Sequence, residues 1–275
     1  MTRLPALLLG LLCSGCLFPF AGLSQRLVLS TGAGDFEVIS SPDEPFEQQR
    51  AARAIAAASQ SLARWGKLDR TVSFYLLPSH LRLASAVGRY GYDWLHAWGR
   101  YDEVYFQSPA TWGWSVSDAE VDELVLHELT HCLMYQRAAT RETWAAKQIP
   151  LWFREGMATW TANQAYKFPS LEDLARFYET HPGADPIRDP DPLYKESNDI
   201  VYAAAHHAFT FLIRRYQEQT VHRLLDAMQS GQTFPEAFLQ VTGISAAAFA
   251  TEFRHYLVWR GFRGHGRPKP SLLLR

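Results

Sequence analysis

Apolar positions follow two rhythms along this chain, and the change between them predicts its architecture. In the first half they come in short runs rich in β-branched and aromatic residues: Phe36-Glu37-Val38-Ile39, Thr71 to Leu77, and Glu103-Val104-Tyr105-Phe106. Such runs, the second closed by Pro78 and the third bounded by Gly99 and Pro109, read as strands. Between the first two, Pro42 to Pro45 turns the chain into an Ala-rich stretch, Phe46 to Trp65, that reads as a helix. From Ser117 onward the spacing shifts to three and four, which predicts helices near 118–137, 150–163, 171–180, 198–216, 218–229, 233–240 and 245–260. The expected fold class is α+β: a small N-terminal mixed sheet with helices, then a mainly α-helical C-terminal half, together one domain over 35–260 in two lobes.

The two ends read differently. Arg3 precedes an uninterrupted apolar run, Leu4 to Leu12, which has the length of an export signal and falls short of the ~20 residues that span a bilayer. Ser14-Gly15-Cys16 resembles the end of a bacterial lipobox, although Cys13 stands where Leu is usual. Residues 1–16 are thus expected to be a signal peptide, with Cys16 a possible lipid anchor and the folded part on the outer side of the membrane in the cell envelope. The tail 261–275, with Gly264, Gly266, Pro268, Pro270 and several basic residues, is expected to be flexible.

Composition narrows the partners. A formal net charge of -1 over 275 residues removes the basic surface that nucleic-acid binding requires. Of three cysteines, two fall in the leader, so Cys132 has no internal partner for a disulfide. A chain of this length buries enough surface to fold without a metal, so a metal site here would exist for chemistry.

Such a site is suggested by His127-Glu128-Leu129-Thr130-His131, an H-E-x-x-H pattern. On a helix, residues four apart share a face, so two imidazoles can meet one ion with Glu128 beside them. Ser117-Asp118-Ala119-Glu120 has the form of a capping box and supplies an independent start signal for that helix. Leu124, His127, Glu128, His131 and Tyr135 fall on one face and the apolar Val125, Leu126, Leu129, Cys132 and Leu133 on another. Cys132, one residue past His131, is rotated about 100° off the metal-facing side.

A carboxylate follows 24 residues after His131, in Trp152-Phe153-Arg154-Glu155-Gly156-Met157-Ala158. In order and spacing this segment resembles the second motif, W-x-x-E-G-x-A, of the gluzincin metallopeptidases, especially the peptidase MA-like group and related aminopeptidases. The resemblance implies that Glu155 is the third ligand of one zinc ion, on a second helix packed against the first, and that the substrate is a peptide or protein. Two imidazoles and one carboxylate leave a fourth position for a water whose pKa falls toward about 7, and Glu128 is placed to take its proton as general base. The resemblance also points to the stretch after Asn198 for a donor to the developing oxyanion; Tyr202 is the candidate, with His206 and His207 as alternatives.

Two features depart from or extend the pattern. Thr159 stands four residues after Glu155, where thermolysin-like relatives carry an Asp that orients a zinc-bound histidine. Asp102 to Ser108 is the strand candidate for the sheet edge that pairs with substrate, and the aromatic stretch from Tyr90 to Trp114 either packs the core or lines a groove. The G-x-M-E-N motif of the aminopeptidases does not occur, which leans toward an endopeptidase or processing enzyme. The alternative classes are a noncatalytic, metal-stabilised envelope protein that binds a peptide or partner on the same scaffold, and a zinc hydrolase of non-peptide bonds.

Overall fold

The computed structural model describes residues 19–113 and 115–261, with side chains through Trp259. The expected signal segment, Cys16 and the tail beyond Gly261 lie outside the described residues. In chain order the elements are β1 (Gln25–Thr31), β2 (Gly34–Ser40), α1 (Pro45–Leu62), β3 (Val72–Leu77), α2 (His80–Val87), β4 (Ala97–Gly99), β5 (Glu103–Gln107), α3 (Asp118–Ala138), α4 (Leu151–Thr161), α5 (Leu171–Thr180), α6 (Asp191–Tyr194), α7 (Asn198–Tyr216), α8 (Gln219–Gln229), α9 (Phe234–Thr242) and α10 (Ala246–Gly261). The fold is α+β, as the two rhythms predict.

The five strands form one mixed sheet in the order β1-β2-β3-β5-β4. β2, β3 and β5 run parallel, with Phe36 opposite Val72 and Ser73 opposite Glu103, while β1 and β4 are antiparallel edges. Alternation along the strands sorts side chains to two faces. Val72, Phe74, Leu76, Val104 and Phe106 turn toward α1 and α3 and join the main core. Tyr75, Leu77 and Tyr105 turn the other way and pack with Leu83, Val87 and Leu95 around α2.

Two expectations about the sheet need correction. The segment Asp102 to Ser108 is not an edge: β5 is hydrogen-bonded to β3 on one side and to β4 on the other. The edge beside α3 is β4, whose three residues are too few for a period-two pattern to register. At the opposite edge β1 was not foreseen, because no polar–apolar alternation marks it: Val28, apolar and flanked by Leu27 and Leu29, is 70% exposed.

α3 runs between the sheet and the helical half. From Val125 to Ala138 nearly every residue is buried, the apolar ones against α1, β5 and α8 and the polar ones facing inward toward α4. A helix buried on all sides is expected to lack a solvated stripe. The C-terminal helices close on an aromatic core of Trp152, Phe153, Phe209, Phe234, Phe238, Phe249 and Phe253. α4 and α7 are in unusually close contact because Gly156 has no side chain: a Cβ there would stand 2.5 Å from the carbonyl oxygen of Ala205 and 2.6 Å from Cβ of Phe209. No helix among the described residues is long and apolar enough to cross a membrane.

Candidate metal centre

The helix that carries the histidines starts where the capping box sets it. Ser117 Oγ accepts the Glu120 backbone N–H at 3.3 Å, and Glu120 Oε2 accepts the Ser117 backbone N–H at 2.8 Å. Three turns on, His127 and His131 present their Nε2 atoms 3.2 Å apart. Glu155, on α4, brings Oε2 to 3.3 Å from His127 Nε2 and 3.5 Å from His131 Nε2. The helical spacing and the packing of α4 on α3 thus converge three donors from two elements on one point, and all three residues are buried.

These separations test whether a metal fits. Zinc held tetrahedrally by nitrogen and oxygen at about 2.0–2.1 Å requires ligand atoms about 3.3–3.4 Å apart. The observed edges of 3.2, 3.3 and 3.5 Å match that triangle. Glu155 Oε2, although this close to both rings, is buried without a hydrogen-bond partner, as expected for an oxygen whose lone pair is directed at an ion. The donor set of two imidazoles and a carboxylate suits zinc.

Electrostatics within the cluster follow from burial and proximity. Burial pushes the Glu155 carboxyl up, but the imidazoles of His131 and His127 outweigh it and hold the group well below the usual carboxylate range. Burial pulls His127 down, and the adjoining carboxylates of Glu155 and Glu128 reverse this to a net rise. For Glu128 burial wins over the two imidazoles and raises the carboxyl.

Contacts around the cluster hold its members in place. His127 Nδ1 lies 2.9 Å from Gln164 Oε1, so the ring can carry its proton on Nδ1 and offer the Nε2 lone pair inward. Gln164 reaches this position because Asn163, in the left-handed region at φ 56°, turns the chain back at the end of α4. Glu128 Oε2 accepts the backbone N–H of Gly99 at 2.5 Å, which ties the carboxylate to β4. A Cβ on Gly99 would lie 2.6 Å from the Glu128 carbonyl oxygen and 3.2 Å from His131 Cβ, so only glycine lets the strand approach this closely.

The cluster opens into a cavity of about 650 Å³ whose wall includes Trp94, Trp98, Gly99, Arg154, Tyr194 and Tyr202. The aromatic stretch therefore serves both expected purposes, since Trp94 and Trp98 line the cavity while Phe106 is core. Tyr202 faces the cluster, its ring 6.4 Å from that of His127, and its hydroxyl is 3.4 Å from that of Tyr194. Burial raises both phenols, so both remain protonated at neutral pH.

His206 and His207, the alternatives to Tyr202, are held elsewhere. His206 Nδ1 faces Thr159 Oγ1 at 3.3 Å in the packing between α4 and α7, and His207 Nε2 lies 3.0 Å from the Pro169 carbonyl. Thr159 itself donates to the Glu155 carbonyl at 2.7 Å. The partner left open by that threonine is therefore Gln164, which lies beyond α4 and which no local spacing marks. Gly99, Arg154 and Tyr194 were likewise not singled out: each gains its place through tertiary contacts.

Residues 111–259 match the sequence profile of the Peptidase MA superfamily, and the chain belongs to that superfamily. Among solved structures, the chain is similar to an M1 zinc metallopeptidase from Deinococcus radiodurans, at 17% identity and a TM-score of 0.43, with 90% of this chain and 54% of that one covered. A point mutant of that enzyme gives 17% identity and a TM-score of 0.44, over 90% and 53% of the two chains. A two-domain M1 zinc metallopeptidase mutant bound to L-arginine gives 15% and 0.43, again over 90% and 53%. The chain spans about half the length of these structures. No curated protein matches it.

Proposed function

We propose that this chain is an exported zinc-dependent metallopeptidase that hydrolyses peptide bonds in peptides or proteins. The observation that carries the reading is the triangle of His127 Nε2, His131 Nε2 and Glu155 Oε2, with the edges of a tetrahedral zinc site and with Glu128 beside it on the cavity wall. Membership of the Peptidase MA superfamily supports the same class. Zinc bound by these three residues, one ion per chain, would polarise the scissile carbonyl and acidify a water.

The chain's own groups supply the rest. Glu128, its carboxyl raised by burial, takes the proton of the attacking water and returns it to the leaving amine. The Gly99 N–H fixes one oxygen of that carboxylate, so the base does not have to be ordered at the moment of reaction. Tyr202 keeps its phenolic proton and donates a hydrogen bond to the developing oxyanion. Gln164 fixes the His127 ring. Among the described residues β4 is the last strand of the sheet on its side, so its backbone can pair with an extended peptide lying along the cavity.

We assign the chain to the outer side of the membrane, with Cys16 as lipid anchor, on the strength of the apolar run Leu4 to Leu12 and Ser14-Gly15-Cys16. The test of the chemistry is Glu128→Gln. Zinc content should be unchanged while peptide hydrolysis falls by about 10²-fold or more. Hydrolysis at the undiminished rate would remove Glu128 as base, and zinc binding with no hydrolysis by the unaltered protein would favour the noncatalytic binding role.

A further inference from the structure

Arg154 is in an unexpected place for a cation. It lies in the first turn of α4, where the helix dipole disfavours positive charge, and that turn contains no acidic residue. Among the described residues its buried Nε has no hydrogen-bond partner, and the guanidinium donates from Nη1 to the Tyr135 hydroxyl at 3.3 Å. It takes part in no ion pair within 4.0 Å among the described residues. The neighbouring carboxylate, Glu155, is directed at the two imidazoles instead.

The half-buried guanidinium thus keeps donors that no carboxylate of the described residues within 4.0 Å occupies, and these can receive an anion from elsewhere. Arg154 lines the same cavity as His127, Glu128 and His131. The other cations on that wall are exposed and engaged: Lys167 pairs with Glu123, and Arg89 lies over the rings of Tyr92 and Trp98. The remaining carboxylates of the wall, Asp191 and Asp199, are exposed and make no pair with Arg154. Arg154 is thus a half-buried, planar cation on the wall of the reaction chamber with no ion pair among the described residues, a group suited to receiving a carboxylate.

We propose that Arg154 forms an anion subsite that binds a carboxylate of the substrate and so sets which peptides the cavity accepts. The identity of the ligand as a peptide rests on the metallopeptidase reading; the anion site itself does not. The carboxylate comes either from the peptide C-terminus or from an Asp or Glu side chain, and the shared chemistry is a planar anion held by the guanidinium fork.

The test is binding to the zinc-loaded protein, followed by calorimetry or by the fluorescence of Trp94 and Trp98, with four probes. N-acetyl-phenylalanine and its amide differ in an α-carboxylate; the α-amides of N-acetyl-glutamate and N-acetyl-glutamine differ in a side-chain carboxylate. One acid should bind about 10-fold or more tighter than its amide, and which acid does so identifies the source. Arg154→Gln, or Arg154→Met should the glutamine variant fold poorly, should abolish that difference while zinc content is retained.

Equal affinity of each acid and amide, absence of binding included, overturns the subsite. So does a preference that survives in the variants, since the zinc rather than the arginine would then hold the acid. Peptide cleavage without an acid preference would sink this subsite and leave the peptidase reading standing. An Arg154-dependent preference in a protein that cleaves no peptide would do the reverse.

Discussion

Gln164 shows how much of the centre depends on a single non-local side chain. It is 37 positions from His127 and sits in the turn after α4, yet its amide oxygen sets the proton on the ring that must offer its other nitrogen inward. Partners of this kind contribute about 10–100-fold to metal affinity. Gln164→Ala should weaken zinc binding within that range in a chelator-competition titration and leave the circular dichroism spectrum unchanged; undiminished affinity would show that His127 needs no such support. His206 makes a second residue-level prediction. Burial lowers its pKa from 6.5 to about 4, with His207 adjacent, so the unfolded chain binds more protons between these values. Stability is then full above about pH 6.5 and is lost as pH falls toward 4, by about 2 kcal/mol between pH 7.5 and 5. Urea midpoints at the two pH values should show this loss in the unaltered protein and a smaller one in His206→Asn.

Among the elements, those with a clear local signal were legible, down to the five residues of β5, whereas β1, α2, β4 and α6 were not. α3 announced itself by its capping box and α4 by its motif, and the observed spans agree with 118–137 and 150–163 to within two residues at each end. β4 and α6 are three and four residues long, too brief to establish a period, and α2 is only about two turns, so their places are dictated by what they pack against. The consequence for the site is large, since β4 supplies the N–H that holds Glu128 and α6 supplies Tyr194. Two glycines mark where elements touch, and they separate function from stability. Gly99→Ala should drive β4 away from α3 and lower hydrolysis by about 10-fold or more with zinc still bound. Gly156→Ala should instead destabilise the α4–α7 packing by about 1–3 kcal/mol, read as a lower denaturant midpoint. Equal activity in the first variant would mean that the strand does not position the base.

Over the whole molecule, the sheet and the helical half each bring one wall to the cavity, and α3 between them holds the histidines. The pattern of apolar positions was enough to predict both halves, because each packs through long, regular elements. It could not predict how the halves share the site, since Gly99 with Glu128, Gln164 with His127, and Arg154 with Tyr135 are pairs far apart in sequence. What joins the two halves chemically is the triangle of two histidines and a glutamate, and the reading of the molecule as a zinc enzyme stands on it. The decisive measurement is zinc per chain, by elemental mass spectrometry, on soluble protein beginning after Cys16, beside the Glu155→Ala variant. About one zinc in the unaltered protein and markedly less in the variant is expected; no zinc after reconstitution in either, or equal zinc in both, would contradict the three-residue centre.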